Sequence, residues 1–153
     1  MVAPYVKDLV PEGPSGGNPG VLLRWVDERD ELFGPHQLSD GTIRALALLV
    51  ALGQPRSKLP RFITIDEPEL GLHPLALSLF CDVVRSVSDH CQIVLATQSP
   101  ALLDHFEPGE VRVVERQNGE TTIRRLEPEK LTEWLDEFSL SELYDKNVLG
   151  GQP

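Results

Sequence analysis

At 153 residues the chain is long enough for one domain with a real core and too short for two. Its apolar content of 41% and charged content of 25% are those of a globular protein, and its net charge of −10 argues against a broad nucleic-acid surface built from its own residues. No apolar run reaches the roughly 18 residues of a membrane-spanning helix, no basic segment leads into an apolar stretch at the start, and Cys81 and Cys91 form neither a disulfide framework nor a metal motif; a cytoplasmic protein with two reduced cysteines is expected.

Residues 1–20 carry the run Pro11-Glu12-Gly13-Pro14-Ser15-Gly16-Gly17-Asn18-Pro19-Gly20, which is loop composition. Val21 to Val26 predicts a strand, and Glu31 to Phe33 predicts its pairing partner across Glu28-Arg29-Asp30. Ser39 then offers an N-cap to an apolar helix from about Gly41 to Leu52, in which Arg44 is the lone charge. A helix apolar on nearly every face is either buried or waiting for a partner surface. Gly53 and Pro55 stop it.

Phe62-Ile63-Thr64-Ile65 is a strand that runs directly into Asp66-Glu67, and Pro68 ends it there. A buried strand delivers its last side chains to the carboxyl edge of a sheet, where α/β proteins place ligands. One carboxylate at that edge can hold Mg²⁺ through water, and its neighbour can polarise an attacking water. Pro74 opens a helix with Ala76, Leu79, Phe80, Val83, Val84 and Val87 at helical spacing. A second apolar strand follows, Ile93-Val94-Leu95-Ala96, ending in Thr97-Gln98-Ser99-Pro100. Strand, helix and strand make a βαβ unit with parallel strands.

Beyond Pro108-Gly109, Val111 to Val114 and Thr121 to Arg124 alternate around Asn118-Gly119, which predicts a hairpin. Pro128 opens a helix with Leu131, Trp134, Leu135 and Phe138 on one face, and a short helix is expected over 141–147.

The segments LSDGT, IDEPELGLHP and ATQSP, in that order, resemble the signature motif, Walker B with its D-loop, and the switch strand of the bacterial AAA/ABC-like ATPases related to SMC and DNA-repair ATPases. The resemblance covers most of the chain. It implies an α/β fold, a partial P-loop NTPase (ABC ATPase-like) with a three-layer core of parallel strands, followed by a C-terminal β-hairpin and helices. The organisation it implies is a loop over 1–20, the motif-bearing part over 21–107, and the hairpin and helices over 108–153.

By the same resemblance the cofactors are ATP and Mg²⁺. Asp66 would hold the metal, Glu67 would orient or deprotonate the attacking water, and Gln98 would sense the γ-phosphate where many relatives carry a histidine. Ser39, Gly41 and Thr42 would meet the γ-phosphate bound by another subunit. Gly41 would let the phosphate approach the backbone at a helix N-terminus. His73 either crosses a dimer interface or simply precedes Pro74 at a helix start. Asp40 departs from the commoner glycine and puts negative charge beside a phosphate site; Glu69 reads as a surface charge or partner contact.

No GxxxxGK(S/T) occurs in these residues, so the resemblance is to the second half of such an ATPase, with the Walker A half supplied upstream or by another chain. Two readings follow. One is an ATPase working as a nucleotide-sandwich homodimer once that half is present, with a DNA or nuclease partner left open and no membrane. The other is a non-catalytic module that regulates a complete ATPase through its apolar signature helix. Without its other half the chain is expected to expose strand edges and apolar helix surface and to be poorly soluble or partly ordered.

Overall fold

A computed structural model describes residues 5–14 and 20–151. The chain divides into two compact units, Met1–Ile63 with Leu70–Val94, and Thr64–Glu69 with Leu95–Pro153.

The first unit opens with a three-stranded antiparallel sheet, β1 (Asp8–Glu12), β2 (Leu22–Val26) and β3 (Leu32–Phe33), in the order β1-β2-β3. β1 corrects the loop expected over 1–20. It pairs along its full length with β2, Asp8 opposite Val26 and Glu12 opposite Leu22. Pro11 is tolerated because β1 is an edge strand, where a missing N–H breaks no ladder. Residues 15–19 of that expected loop lie outside the described residues. Trp25 is the sheet's anchor: it is buried, stacks on Phe33 at 4.5 Å between ring centres, meets Tyr5 edge-on at 5.6 Å, and donates its indole N–H to the Gly34 carbonyl.

Helix α1 (Asp40–Leu52) follows, N-capped by Ser39 as expected, and packs against α2 (Pro74–Ser88). Thr42, Ala45 and Leu52 of α1 are buried, whereas Ile43 and Val50 are exposed. The helix, apolar on nearly every face, is therefore buried along one stripe and open along another. Gly53 is its C-cap but has a φ of −76°, so the stop does not use a left-handed glycine. α2 buries Ala76, Phe80 and Val84 of the expected stripe together with Leu77 and Cys81, while Leu79, Val83 and Val87 are half-buried, so the buried face is turned toward 77 and 81. Both cysteines are free and buried.

Strands β4 (Phe62–Asp66) and β5 (Gln92–Ala96) pair with each other. The Gln92 N–H donates to the Arg61 carbonyl near the start of both strands, and the Glu67 N–H donates to the Ala96 carbonyl at their ends. Bonded partners advance together, so the pair is parallel, as the βαβ reading requires. Burial alternates along each strand: Ile63 and Ile65 are half-buried in β4, Ile93 and Leu95 in β5, and the intervening residues are exposed. Sequences apolar enough for burial on both faces are thus covered on one.

The second unit contains α3 (Pro100–Leu103), the antiparallel hairpin of β6 (Arg112–Gln117) and β7 (Glu120–Arg125), α4 (Pro128–Leu135) and α5 (Leu140–Asp145). Asn118 and Gly119 take φ of 52° and 86°, the two positive values that a tight hairpin turn matched to strand twist requires. Val113, Leu126, Leu140, Leu143 and Leu149 form the core, with Leu131, Leu135 and Phe138 packed on it. α4 ends before Phe138 and leaves Trp134 exposed, so the expected apolar face is shared between a helix and the turn after it. α5 is fixed by a capping box: the Ser139 hydroxyl accepts from the Glu142 N–H, and the Glu142 carboxylate accepts from the Ser139 N–H. Asp104 adds to that cap by accepting from both the N–H and the hydroxyl of Ser141, at 2.8 and 2.6 Å.

Candidate functional site

The acidic pair ends β4. Asp66 is the last residue of the strand and is exposed; Glu67 follows it half-buried. Glu67 has a φ of 47°, in the left-handed region that non-glycine residues seldom occupy. Its N–H is held by the Ala96 carbonyl at 2.8 Å, so the turn that aims the second carboxylate is anchored to the neighbouring strand. A strained backbone of this kind costs about 1–3 kcal/mol and survives only where the surroundings fix it. Buried Pro68 supplies part of that constraint by fixing the next φ.

Glu69 overturns the surface-charge expectation. It is not exposed: one carboxylate oxygen, Oε1, accepts a hydrogen bond from the Thr97 hydroxyl, and the other, Oε2, is buried with no hydrogen-bond partner among the described residues. Thr97 Oγ1 in turn accepts from the Ser99 N–H at 2.9 Å. Gln98 sits between these two tethered residues and is exposed. Asp66, Glu67, Glu69, Thr97 and Gln98 all belong to one unit. The sequence carried no direct sign of the Glu69 contact, because a third acid after a proline reads as a solvated charge.

The signature residues belong to the other unit. Ser39 is exposed, and its hydroxyl accepts from the Thr42 N–H at 3.1 Å, the arrangement of a helix N-cap. Thr42 is 8% exposed, and its hydroxyl is hydrogen-bonded both to Ser39 Oγ and to the phenol of Tyr5, each at 2.8 Å. Thr42 thus supports Ser39. The bonds to Thr42, then Ser39, hold the Tyr5 phenol below its ordinary pKa against an opposing push from burial. Tyr5 was not among the residues that the motifs singled out.

Gly41 has a structural reason that spacing did not reveal. A Cβ there would lie 1.9 Å from the Gly71 carbonyl oxygen, so the room left by the missing side chain is taken by the backbone of the D-loop segment. The signature turn and the D-loop segment are therefore in direct contact within one unit. His73 is exposed and is the N-cap of α2, its Nδ1 accepting from the Leu75 N–H at 3.3 Å. Asp40 is exposed in the first turn of α1, a favourable place for an acid on dipole grounds.

Asp66 offers hard oxygen donors at an exposed strand end, which suits Mg²⁺. Among the described residues no group of three His, Cys, Asp or Glu could cage an ion. The donor set fits an ion held by one carboxylate together with water and phosphate oxygens. Among the described residues no helix is long and apolar enough to cross a membrane.

The fold is that of SMC ATPase heads. The chain is similar to a structure from work on ATP-driven dimerization and DNA-stimulated activation of SMC ATPases, at 15% identity and a TM-score of 0.64, over 88% of this chain and 83% of that one. It is similar to the Smc head domain of Pyrococcus furiosus, solved with an extended coiled coil and bound to the C-terminal domain of ScpA, at 17% identity and a TM-score of 0.63, over 84% of this chain and 33% of that one. The SMC head domain of Thermotoga maritima is similar at 18% identity and a TM-score of 0.54, over 69% of this chain and 39% of that one. The chain thus spans most of the first of these structures and well under half of the other two. No curated protein matches it. Residues 11–104, more than half of the chain and all of the motif-bearing strands and helices from β2 to α3, match the family described as "AAA domain, putative AbiEii toxin, Type IV TA system", and the chain belongs to that family of AAA/ABC-like ATPases.

Proposed function

We propose that this chain supplies the hydrolytic carboxylates and the signature turn of an ATP-hydrolysing enzyme that works as a nucleotide-sandwich dimer, with the phosphate-cradling Walker A half contributed by residues outside it. The observation that carries this reading is the anchored turn at Glu67: a left-handed backbone, tied to Ala96, directly after an exposed Asp66 at the end of a parallel strand. Phosphoryl transfer depends mainly on positioning and charge stabilisation, and a rigid turn supplies positioning.

In this reading Asp66 holds Mg²⁺ through its carboxylate, Glu67 orients the attacking water and takes its proton, and Gln98 donates an amide N–H to the γ-phosphate. Magnesium supplies charge neutralisation at the phosphate oxygens. Ser39, at the N-terminus of a 13-residue helix, meets the γ-phosphate of the facing subunit. Gly41 brings the D-loop segment against that turn, and Thr42 holds Ser39; neither needs to touch the nucleotide. His73 serves as a helix cap. A homodimer in the cytoplasm is the simplest assembly that gives each site its facing signature turn.

Glu67→Gln in the protein joined to its Walker A half is expected to lower ATP turnover by at least about 100-fold while ATP binding persists. Unchanged turnover would refute the assignment.

A second reading, a non-catalytic module that docks on a complete ATPase, is favoured by exposed Ile43 and Val50 on α1. A chain that binds Mg-ATP tightly and turns it over unaided would rule that reading out.

A further inference from the structure

The one carboxylate of the acidic turn that carries no role above is Glu69, and it is the one with a buried oxygen lacking a hydrogen-bond partner among the described residues. Its other oxygen accepts from the Thr97 hydroxyl, and Thr97 Oγ1 accepts from the Ser99 N–H at 2.9 Å. The result is an ordered chain of donors: Ser99 N–H to Thr97 Oγ1, and Thr97 O–H to Glu69. It links the turn after β4 to the segment after β5. Gln98 is exposed and is flanked by it, with Thr97 and Ser99 both tethered. At the other end of the same turn Glu67 is tethered to Ala96, the residue before Thr97. Two bridges therefore span from 67–69 to 96–99.

We propose that Glu69 is a positioning residue: through Thr97 and Ser99 its carboxylate holds Gln98 in fixed relation to Glu67, so that the group sensing the γ-phosphate and the group activating water are set as one unit. A buried acid is expensive unless it is hydrogen-bonded, and a hydrogen bond to a charged acceptor is among the stronger ones available. A threonine hydroxyl can do both jobs at once, accepting from a backbone N–H while donating to a carboxylate. Valine at 97 has the same shape and can do neither. Serine retains both.

The proposal rests on the ATPase reading, so its test has two readouts. The first is backbone amide exchange at Ser99, which does not need turnover. In Glu69→Ala, and in Thr97→Val, Ser99 exchange is expected to rise by about tenfold or more, with amides of the unit's Leu143 core unchanged, while Thr97→Ser stays near wild type. Unchanged exchange at Ser99 in Glu69→Ala would overturn the clamp itself.

The second readout is ATP turnover by the protein joined to its Walker A half. Glu69→Ala and Thr97→Val are each expected to lower kcat about tenfold or more with KM for ATP moved less than about twofold, the double variant falling no further than either single one and Thr97→Ser retaining the rate. Losses that multiply in the double variant, or a kcat unaffected while Glu67→Gln abolishes turnover, would overturn the positioning role. Turnover that is absent in the wild type, or indifferent to Glu67, would strike down the ATPase reading and this role with it; a loosened Ser99 amide would then show that the clamp exists and serves something else.

Discussion

The hairpin-and-helix part beyond residue 108 and the β4–β5 pair are built from similarly apolar material and end in opposite conditions. In the former, Leu143 is wholly buried and Leu126, Leu140 and Leu149 close around it. In the latter, Phe62 is 52% exposed and Val94 45% exposed, on strands whose alternate residues are half-buried. β7 gives a third case, exposed along its whole length, but it is composed for exposure, with Thr, Arg and Glu around a single Ile123. What separates β4 and β5 from β7 is therefore composition out of step with environment. Strands of parallel α/β sheets are apolar on both faces because layers cover both. Phe62 and Val94 have side chains suited to a second covering layer.

The contrast can be broken by substitution. Leu143→Ala is expected to cost the largest amount, about 3 kcal/mol, because the closed core cannot collapse onto the missing side chain; a denaturant midpoint shift without a change in slope would report it. Gly41→Ala comes next at about 2 kcal/mol or more, since the added methyl meets the Gly71 carbonyl at 1.9 Å and backbone must move. An Ala variant as stable as wild type would mean that the signature turn and the D-loop segment are not in contact.

Asp104→Asn sharpens the comparison through pH. Burial alone would raise the Asp104 carboxyl, but the hydroxyl and N–H of Ser141 outweigh it and hold it below its ordinary value of 3.8. A depressed folded-state pKa means that stability is fully present above the unfolded value and is lost as pH falls through the folded one. The Asn variant is therefore expected to be less stable by about 1 kcal/mol at neutral pH, and the gap should close as pH falls below 3.8 and through the depressed folded value. A gap that stays constant down to acid pH would assign the effect to shape and not to charge. Smallest of all, Phe62→Ser should change the stability of this chain by less than about 0.5 kcal/mol. A loss comparable to Leu143→Ala would show that the face of β4 bearing Phe62 is already covered.

Much of this was legible in the residues because local chemistry agreed with the fold. Asn118-Gly119 dictated its turn, Ser39 its cap, Pro74 its helix start, and the run from Phe62 into Asp66-Glu67 its strand end. The misses share a cause. β1 was hidden because Pro11 and the glycines after it argue against a strand, and only the edge position excuses the proline. Gly41 read as an opening for phosphate, while the atom that fills the opening comes from Gly71, thirty residues on. Glu69 reads as a surface charge or partner contact, and Tyr5 draws no notice, because their partners, Thr97 and Thr42, are distant in sequence, and a lone acid or phenol gives no sign of where its hydrogen bond goes. Periodicity and capping are local; tethers between loops are not.

The most direct measurement is complementation between two inactive variants of the protein joined to its Walker A half, Glu67→Gln and Ser39→Arg, each assayed for ATP turnover alone and then mixed. If each site combines the carboxylates of one copy with the signature turn of the other, a mixed dimer holds one site carrying both lesions and one carrying neither, so turnover should reappear on mixing. A mixture as inactive as its components, with mixed dimers present, would contradict the shared site; turnover retained by Glu67→Gln alone would contradict the hydrolytic role of the carboxylate itself.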